Sequence, residues 1–157
     1  MIIRDYNPDT DYAGLRACVV ELQDFEYRID PRYPDGESIV ELYIPDVLLR
    51  CRQYAGKVMI AELNGEVAGY AMVWTKVPGV DIEDGDFECG RLADLAVLER
   101  FRGKGIGQQL IKASESWARE QGVRYFRLGV MAKNGNARAL YQKLGYGECQ
   151  IEMEKEL

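Results

Sequence analysis

The six residues Arg102-Gly103-Lys104-Gly105-Ile106-Gly107 follow an apolar, strand-like segment, Leu92 to Leu98, and open a helix-like segment, Ile106 to Gln121. Such a junction can bind an anion. Glycines let the main chain come close to a ligand, and the first N–H groups of a helix have no internal partner. The helix dipole adds roughly 0.3–1 kcal/mol per anionic group. Arg100, Arg102 and Lys104 bring positive charge to the same place. Two common phosphate loops do not fit. A Walker loop needs Gly-Lys followed by Ser or Thr, whereas Gly103-Lys104 is followed by Gly105. A dinucleotide fingerprint, G-x-G-x-x-G, would end at Gln108 or Leu110 here. What remains is Arg-x-x-Gly-x-Gly at positions 102, 105 and 107. The plainer reading of these residues is a strand-to-helix turn capped by glycines.

The chain has no histidine, so Ser-His and Cys-His catalysis are excluded and proton transfer falls to carboxylate, tyrosine, amine or water. Cys18, Cys51, Cys89 and Cys149 are far apart and form no Cys-x-x-Cys pair. Reduced, mostly buried thiols are expected, with neither a metal site nor a disulfide framework. Asp94 stands out because Leu92, Ala93, Leu95, Ala96 and Val97 around it are all apolar. It can act as a base, bind a cationic acceptor, or hydrogen-bond a loop. Glu88 is a weaker candidate, at the edge of an acidic loop that also holds Asp81, Glu83, Asp84 and Asp86. That loop does not match an EF-hand, since Gly85 falls one position early and the terminal glutamate is missing. It reads as a solvated acidic loop.

The elements that must position these residues are set by periodicity. Ile2 to Arg4 reads as a first strand, and Asn7-Pro8-Asp9 as a turn leading into a helix from Asp11 to about Ile29. Asp9 or Thr10 can cap that helix. A loop with two prolines precedes a second helix, Ser38 to Gln53, in which Pro45 predicts a kink or a late start. Lys57 to Leu63 and Val67 to Lys76 form a hairpin about Asn64-Gly65. The strand 92–98 and the helix 105–121 come next, with Ile106, Leu110, Ala113 and Trp117 on one face of the helix. A strand Arg124 to Val130, a helix Asn134 to Leu144 and a last strand over 147–154 complete the order. A single domain over 1–157 is expected, of the α/β class: a central mixed sheet with helices on both faces.

The segment Asn134-Gly135-Asn136-Ala137-Arg138-Ala139-Leu140-Tyr141-Gln142-Lys143-Leu144-Gly145-Tyr146 matches every named position of Asn-x-x-Ala-x-x-Leu-Tyr-x-x-x-Gly-(Phe/Tyr). With the glycine loop before it, the chain resembles the GNAT superfamily of N-acetyltransferases over essentially its full length. The resemblance implies a GNAT-like acyl-CoA N-acyltransferase fold and acetyl-CoA as co-substrate. In that family the strand before the loop splays from its neighbour and pairs with the pantetheine arm, which here implicates Leu95, Ala96 and Val97. It assigns the pyrophosphate to Arg102, Gly103, Lys104, Gly105, Ile106 and Gly107. Asn134 matches an asparagine that contacts the cofactor arm; Asn136 is an adjacent candidate, equally well a helix cap. Tyr141 matches a tyrosine near the thioester sulfur, and is also placed on the apolar helix stripe. Some members carry an acidic residue where Asp94 lies. The family's longer terminal hairpin has no room here, with about a dozen residues after Gly145, so that side of the acceptor cleft is expected to be open or completed by a second subunit. The opposite wall draws on the first helices, where Glu21, Asp24, Glu26, Tyr27 and Tyr33 can meet an amine.

Acetyl transfer to an amine is chemically demanding at one point. A free alkylamine of pKa about 10.4 is only ~1 part in 2,500 neutral at pH 7, which a carboxylate base or water chain offsets. A backbone N–H near Val97 can polarise the thioester carbonyl. The thiolate, of pKa about 8.5, leaves well, so a tyrosine donor helps modestly. Net charge of −6 argues against a nucleic-acid partner, which needs a basic surface, and suits a cationic one. No apolar run reaches the roughly 20 residues that cross a bilayer, and Met1 to Asp5 lacks signal-peptide anatomy. A cytoplasmic protein with no membrane partner is the expectation. The leading function is acetylation of a primary amine on a small molecule. Peptide or protein acetylation, at an N-terminus or a lysine, is the alternative, and a non-catalytic acyl-CoA sensor is the contrast. The resemblance also suggests a homodimer.

Overall fold

The computed structural model describes residues 1–79 and 82–157; Asp81 of the acidic loop lies outside them. Strand β1 (Ile2–Asp5) leads to helices α1 (Pro8–Ile29) and α2 (Gly36–Gln53). Strands β2 (Lys57–Leu63), β3 (Glu66–Pro78) and β4 (Glu88–Val97) follow, then α3 (Ile106–Glu120), β5 (Phe126–Leu128) and α4 (Gly135–Lys143). The five strands form one sheet in the order β1-β2-β3-β4-β5. The first four are antiparallel neighbours, and β5 joins β4 in parallel after the α3 crossover. This is the mixed α/β architecture expected from the sequence.

Local chemistry fixes the helix starts. The Asn7 side chain accepts from the Asp9 N–H at 3.0 Å, and Pro8 fills the first helical turn, where its missing N–H costs nothing. The cap is therefore Asn7, and the helix starts three residues earlier than the periodicity suggests. Asp35 caps α2 by accepting from Ser38 N–H at 3.0 Å. A Cβ on Gly36 would lie 2.4 Å from the Val20 carbonyl oxygen, so only glycine lets α2 begin against α1. Helix α2 runs on through Pro45, giving up the bond that Pro45 cannot donate to the Glu41 carbonyl. The hairpin turn places Asn64 at φ 55° and Gly65 at φ 80°, the two positive angles of a type I′ turn.

The core lies on both faces of β2–β4. Leu15, Val19, Val40 and Ile44 come from α1 and α2, and Ile106, Leu110 and Ile111 from α3. The buried stripe of α3 is Ile106, Leu110, Ile111, Ser114 and Ala118, rotated from the expected one. Ala113 and Trp117 lie at its margin, with Lys57 Nζ 5.0 Å from the Trp117 ring centroid.

The strand expected over 147–154 does not form. Its alternation of Cys149, Ile151 and Met153 with polar residues looks like a strand. However, β5 is three residues long and offers no ladder on its outer edge. Ile151 and Met153 are exposed, and the segment is held by ion pairs from Arg138 to Glu148 and Arg32 to Glu154.

Candidate active site

The site is built where β4 and β5 part. The parallel ladder covers only Gly90, Arg91 and Leu92 of β4, opposite Phe126, Arg127 and Leu128. From Asp94 to Val97 the strand pairs with β3 alone, so its other edge is open. The Leu98 N–H bonds the Ala68 carbonyl on β3. Alternation along the strand therefore turns the N–H groups of Val97 and Leu95 towards that open edge.

The glycine loop lies just beyond. Gly103 and Gly105 both sit at φ +75°, and nothing lies within 4 Å of where their Cβ atoms would be. Gly105 is the N-cap of α3 and provides no side-chain cap, so the first N–H groups of the helix face open space. Gly107 carries no positive φ; a Cβ there would meet Val97 and Leu140 at ordinary contact distance. The Arg102 side chain bonds the strand end and α1. Its Nε donates to the Val97 carbonyl at 2.9 Å and its guanidinium pairs with Glu21 at 2.5 Å. Glu21 also accepts from the Glu99 N–H at 2.7 Å. Arg102 thus ties the end of β4 to α1, and Lys104 lies over the Phe101 ring at 5.3 Å.

On the α1/α2 side of the sheet, Asp94 accepts from two phenols, one of them shared between its two oxygens. Tyr43 from α2 donates at 2.9 and 3.0 Å to its two oxygens, and Tyr70 from β3 donates at 3.1 Å. Burial pushes the Asp94 carboxyl above the usual carboxylate range, against the lowering effect of the two tyrosines. Both phenols are pushed up, first by burial and then by the Asp94 charge. Glu26 on α1 is also raised, by burial and then by Asp94. A cavity of about 380 Å³ opens here, lined by Tyr43, Asp46, Arg50, Trp74, Arg91 and Asp94 among others.

Of the other α1 candidates, Asp24 accepts from the Gly36 N–H at 2.8 Å and so holds the α1–α2 junction. Tyr27 and Tyr33 are exposed. Glu88 is exposed at the start of β4, opposite Pro78.

Asn134, not Asn136, is the cap of α4: its side-chain oxygen accepts from the Ala137 N–H at 3.2 Å. Asn136 is exposed. Tyr141 is half-buried, its ring edge-on to Tyr146 at 5.9 Å. Its phenol is pushed up by burial, and its hydroxyl makes no hydrogen bond to any described residue. Tyr146 behaves differently, donating to Glu115 at 2.7 Å.

Tyr43 and Tyr70 are not legible as site residues in the sequence. The usable signal is Tyr70 inside an apolar strand, because a buried phenol needs an acceptor and Asp94 is the polar residue within the apolar run 92–97 of the next strand.

A mixed sheet whose fourth strand parts from the fifth, with a glycine-started helix beyond it, is the frame of this site. The chain belongs to the acetyltransferase (GNAT) family, whose model matches residues 17–146. It is 30% identical over 139 residues to an N-alpha-acetyltransferase of Sulfurisphaera tokodaii, spanning 80% of this chain and 83% of that one. For three other curated relatives, all from Bacillus subtilis, the aligned part is 41%, 64% and 39% of their own length. The fold matches the BH1408 protein of Bacillus halodurans with TM-score 0.85 at 21% identity, covering 100% of this chain and 99% of that one. It also matches an aminoglycoside N-acetyltransferase, AAC(6')-Iy, solved in complex with CoA. That match has TM-score 0.66 at 22% identity and covers 99% and 98% of the two chains. Among the described residues no helix is long and apolar enough to cross a membrane, and no group of three or more His, Cys, Asp or Glu could hold a metal ion.

Proposed function

We propose that this protein transfers the acetyl group of acetyl-CoA to the primary amine of a small molecule, by direct attack of the amine on the thioester. The observation that carries the reading is the open edge of β4 running into a helix that begins at a left-handed glycine. The backbone groups of Leu95 and the Val97 N–H, turned to that edge, fit an amide-bearing arm, with Ala96 between them paired to Tyr70 on β3. The uncovered N–H groups of 103–107, with Lys104 beside them, fit a pyrophosphate, and the Asn134 amide nitrogen is free of its capping duty. When bound, acetyl-CoA supplies the activated acyl carbon. The size of the Asp94 cavity, about 380 Å³, supports a small acceptor.

Asp94 receives the proton of the acceptor ammonium, directly or through water; its raised affinity for protons suits it to that task. The freed amine nitrogen bonds to the carbonyl carbon while the Val97 N–H steadies the carbonyl oxygen. The carbon–sulfur bond breaks, its electron pair stays on sulfur, and the Tyr141 hydroxyl donates the proton that makes the thiol, while the nitrogen gives up its second proton to water as the amide forms and Asp94 returns its own to solvent. Solvent then returns a proton to Tyr141. The products are the N-acetyl amide and CoA. Burial, which keeps Tyr141 protonated, preserves it as a donor.

A second reading, acetylation of a peptide or protein amine, is supported by the archaeal relative, an N-alpha-acetyltransferase. The test is CoA release from acetyl-CoA across polyamines, aminoglycosides, amino acids and short peptides, with Tyr141→Phe alongside. Turnover confined to small amines and lowered at least 10-fold in Tyr141→Phe is the expected result. Turnover of peptides alone establishes the second reading. Tight acetyl-CoA binding with no turnover leaves a sensor or an acceptor outside the panel.

A further inference from the structure

Arg91 and Asp94 are three residues apart, a spacing that in a regular strand puts side chains on opposite faces. Here they share a face. Arg91 lies opposite Trp74 and Asp94 opposite Met72, two residues apart on β3, because the register shifts between Met72 and Val73. One extra residue is accommodated on β4 at that point, and the bulge re-aims the side chains beyond it. Both side chains consequently line the same cavity, together with Trp74. Their Cα atoms are separated by roughly 7 Å of strand, two residues at about 3.4 Å each.

Four charged residues line the cavity: Asp46, Arg50, Arg91 and Asp94. Arg50 pairs with Asp46 at 2.8 Å, so that couple is neutral. Asp94 is left as the negative end, held by the two tyrosines. Arg91 is left as the positive end. It is exposed and makes no ion pair among the described residues, and its guanidinium reaches the point where a Gly129 Cβ would lie 3.6 Å away. A guanidinium is a planar fork matched to carboxylate or phosphate oxygens.

We infer that the acceptor is ampholytic: an amine bound at Asp94 that carries an anionic group, carboxylate or phosphate, a few bonds away against Arg91. The polyamine and simple alkylamine classes then become poor acceptors, despite the acidity of the chain as a whole. This inference rests on the acetyl-transfer reading and names its substrate class.

The test compares matched pairs under acetyl-CoA: ω-amino carboxylates against n-alkylamines of the same length, and O-phosphoethanolamine against ethanolamine. Acceptor binding to the CoA-saturated protein is measured in parallel by calorimetry. The expected result is a kcat/KM at least 10-fold higher for the anionic member of one pair, expressed mainly in KM and matched in Kd. The pair that shows it distinguishes carboxylate from phosphate. Arg91→Ala should collapse the preference at least 10-fold, and Arg91→Lys, which keeps the charge without the fork, should retain part of it. Equal use of both members, or a preference that survives Arg91→Ala, overturns the inference and leaves the transferase reading standing. Acetylation of no amine at all removes both.

Discussion

Replacing Gly105 by Asp separates the anion cradle from the stability of the loop that forms it. Gly105 sits at φ +75° with nothing within 4 Å of a built Cβ. The cost to the protein is therefore conformational, about 1–2 kcal/mol for an L-residue in the left-handed region, with Asp among the residues that tolerate it best. For a domain of this size that is a fall in Tm of roughly 2–8 °C. The cost to a bound pyrophosphate is separate. A carboxylate about 5 Å from a phosphate charge, at an effective dielectric of ~20, is repelled by about 3 kcal/mol, on the order of 100-fold in Kd. Gly122 is the control. It has φ +83° and equally open surroundings, but lies at the far end of the 15-residue α3, about 22 Å away and beyond two Debye lengths at physiological salt. Gly122→Asp carries a comparable strain, plus a few tenths of a kcal/mol for a negative charge at a helix C-terminus. Thermal unfolding and calorimetric CoA titration of both variants should show similar losses of Tm, with lost CoA affinity in Gly105→Asp alone. If the two bind CoA equally, the loop does not hold the pyrophosphate.

The remaining predictions concern the two carboxylates whose affinities move in opposite directions. The Asp94 pKa is raised in the folded state, so its ionisation opposes folding and stability falls as pH rises through that raised value. Asp94→Asn should therefore match or exceed the wild-type Tm at pH 7 while lowering kcat at least 10-fold; a less stable but fully active variant would contradict its proposed role. The acid limb of the wild-type pH–rate profile should lie above the ordinary aspartate pKa of about 3.9, and it should vanish in the same variant. Asp11 is the opposite case. Its carboxylate is 2% exposed and hydrogen-bonded by Arg4 at 2.6 and 2.9 Å, chiefly through which its pKa is lowered to about 2. Its contribution is complete above the unfolded value near 3.8 and is lost as pH falls towards 2, amounting to about 2 kcal/mol. Urea midpoints between pH 6 and pH 2 should fall more steeply for wild type than for Asp11→Asn.

Local periodicity and turn chemistry carry most of the fold. The Asn64-Gly65 turn, the glycines that start and stop α3 and the capped α4 motif act through neighbours a few residues away, and such interactions are written in the chain itself. The glycine loop, the tyrosine helix and Asp94 are legible as candidates for the same reason. What needs the tertiary structure is everything set by register and crossing. The last strand fails to form because a strand requires an edge to pair with, and three-residue β5 gives none. The face on which Asp94 lies, and its company of Tyr43, Tyr70 and Glu26, depends on α1 and α2 crossing β4 at that level. Arg102 reads as a pyrophosphate ligand by spacing, and only the structure reveals its bonds to the Val97 carbonyl and to Glu21, 81 positions away on α1. Arg91 shares a cavity with Asp94 only because one extra residue is taken up in the ladder opposite Met72 and Val73, and a bulge is a property of two paired strands rather than of either alone.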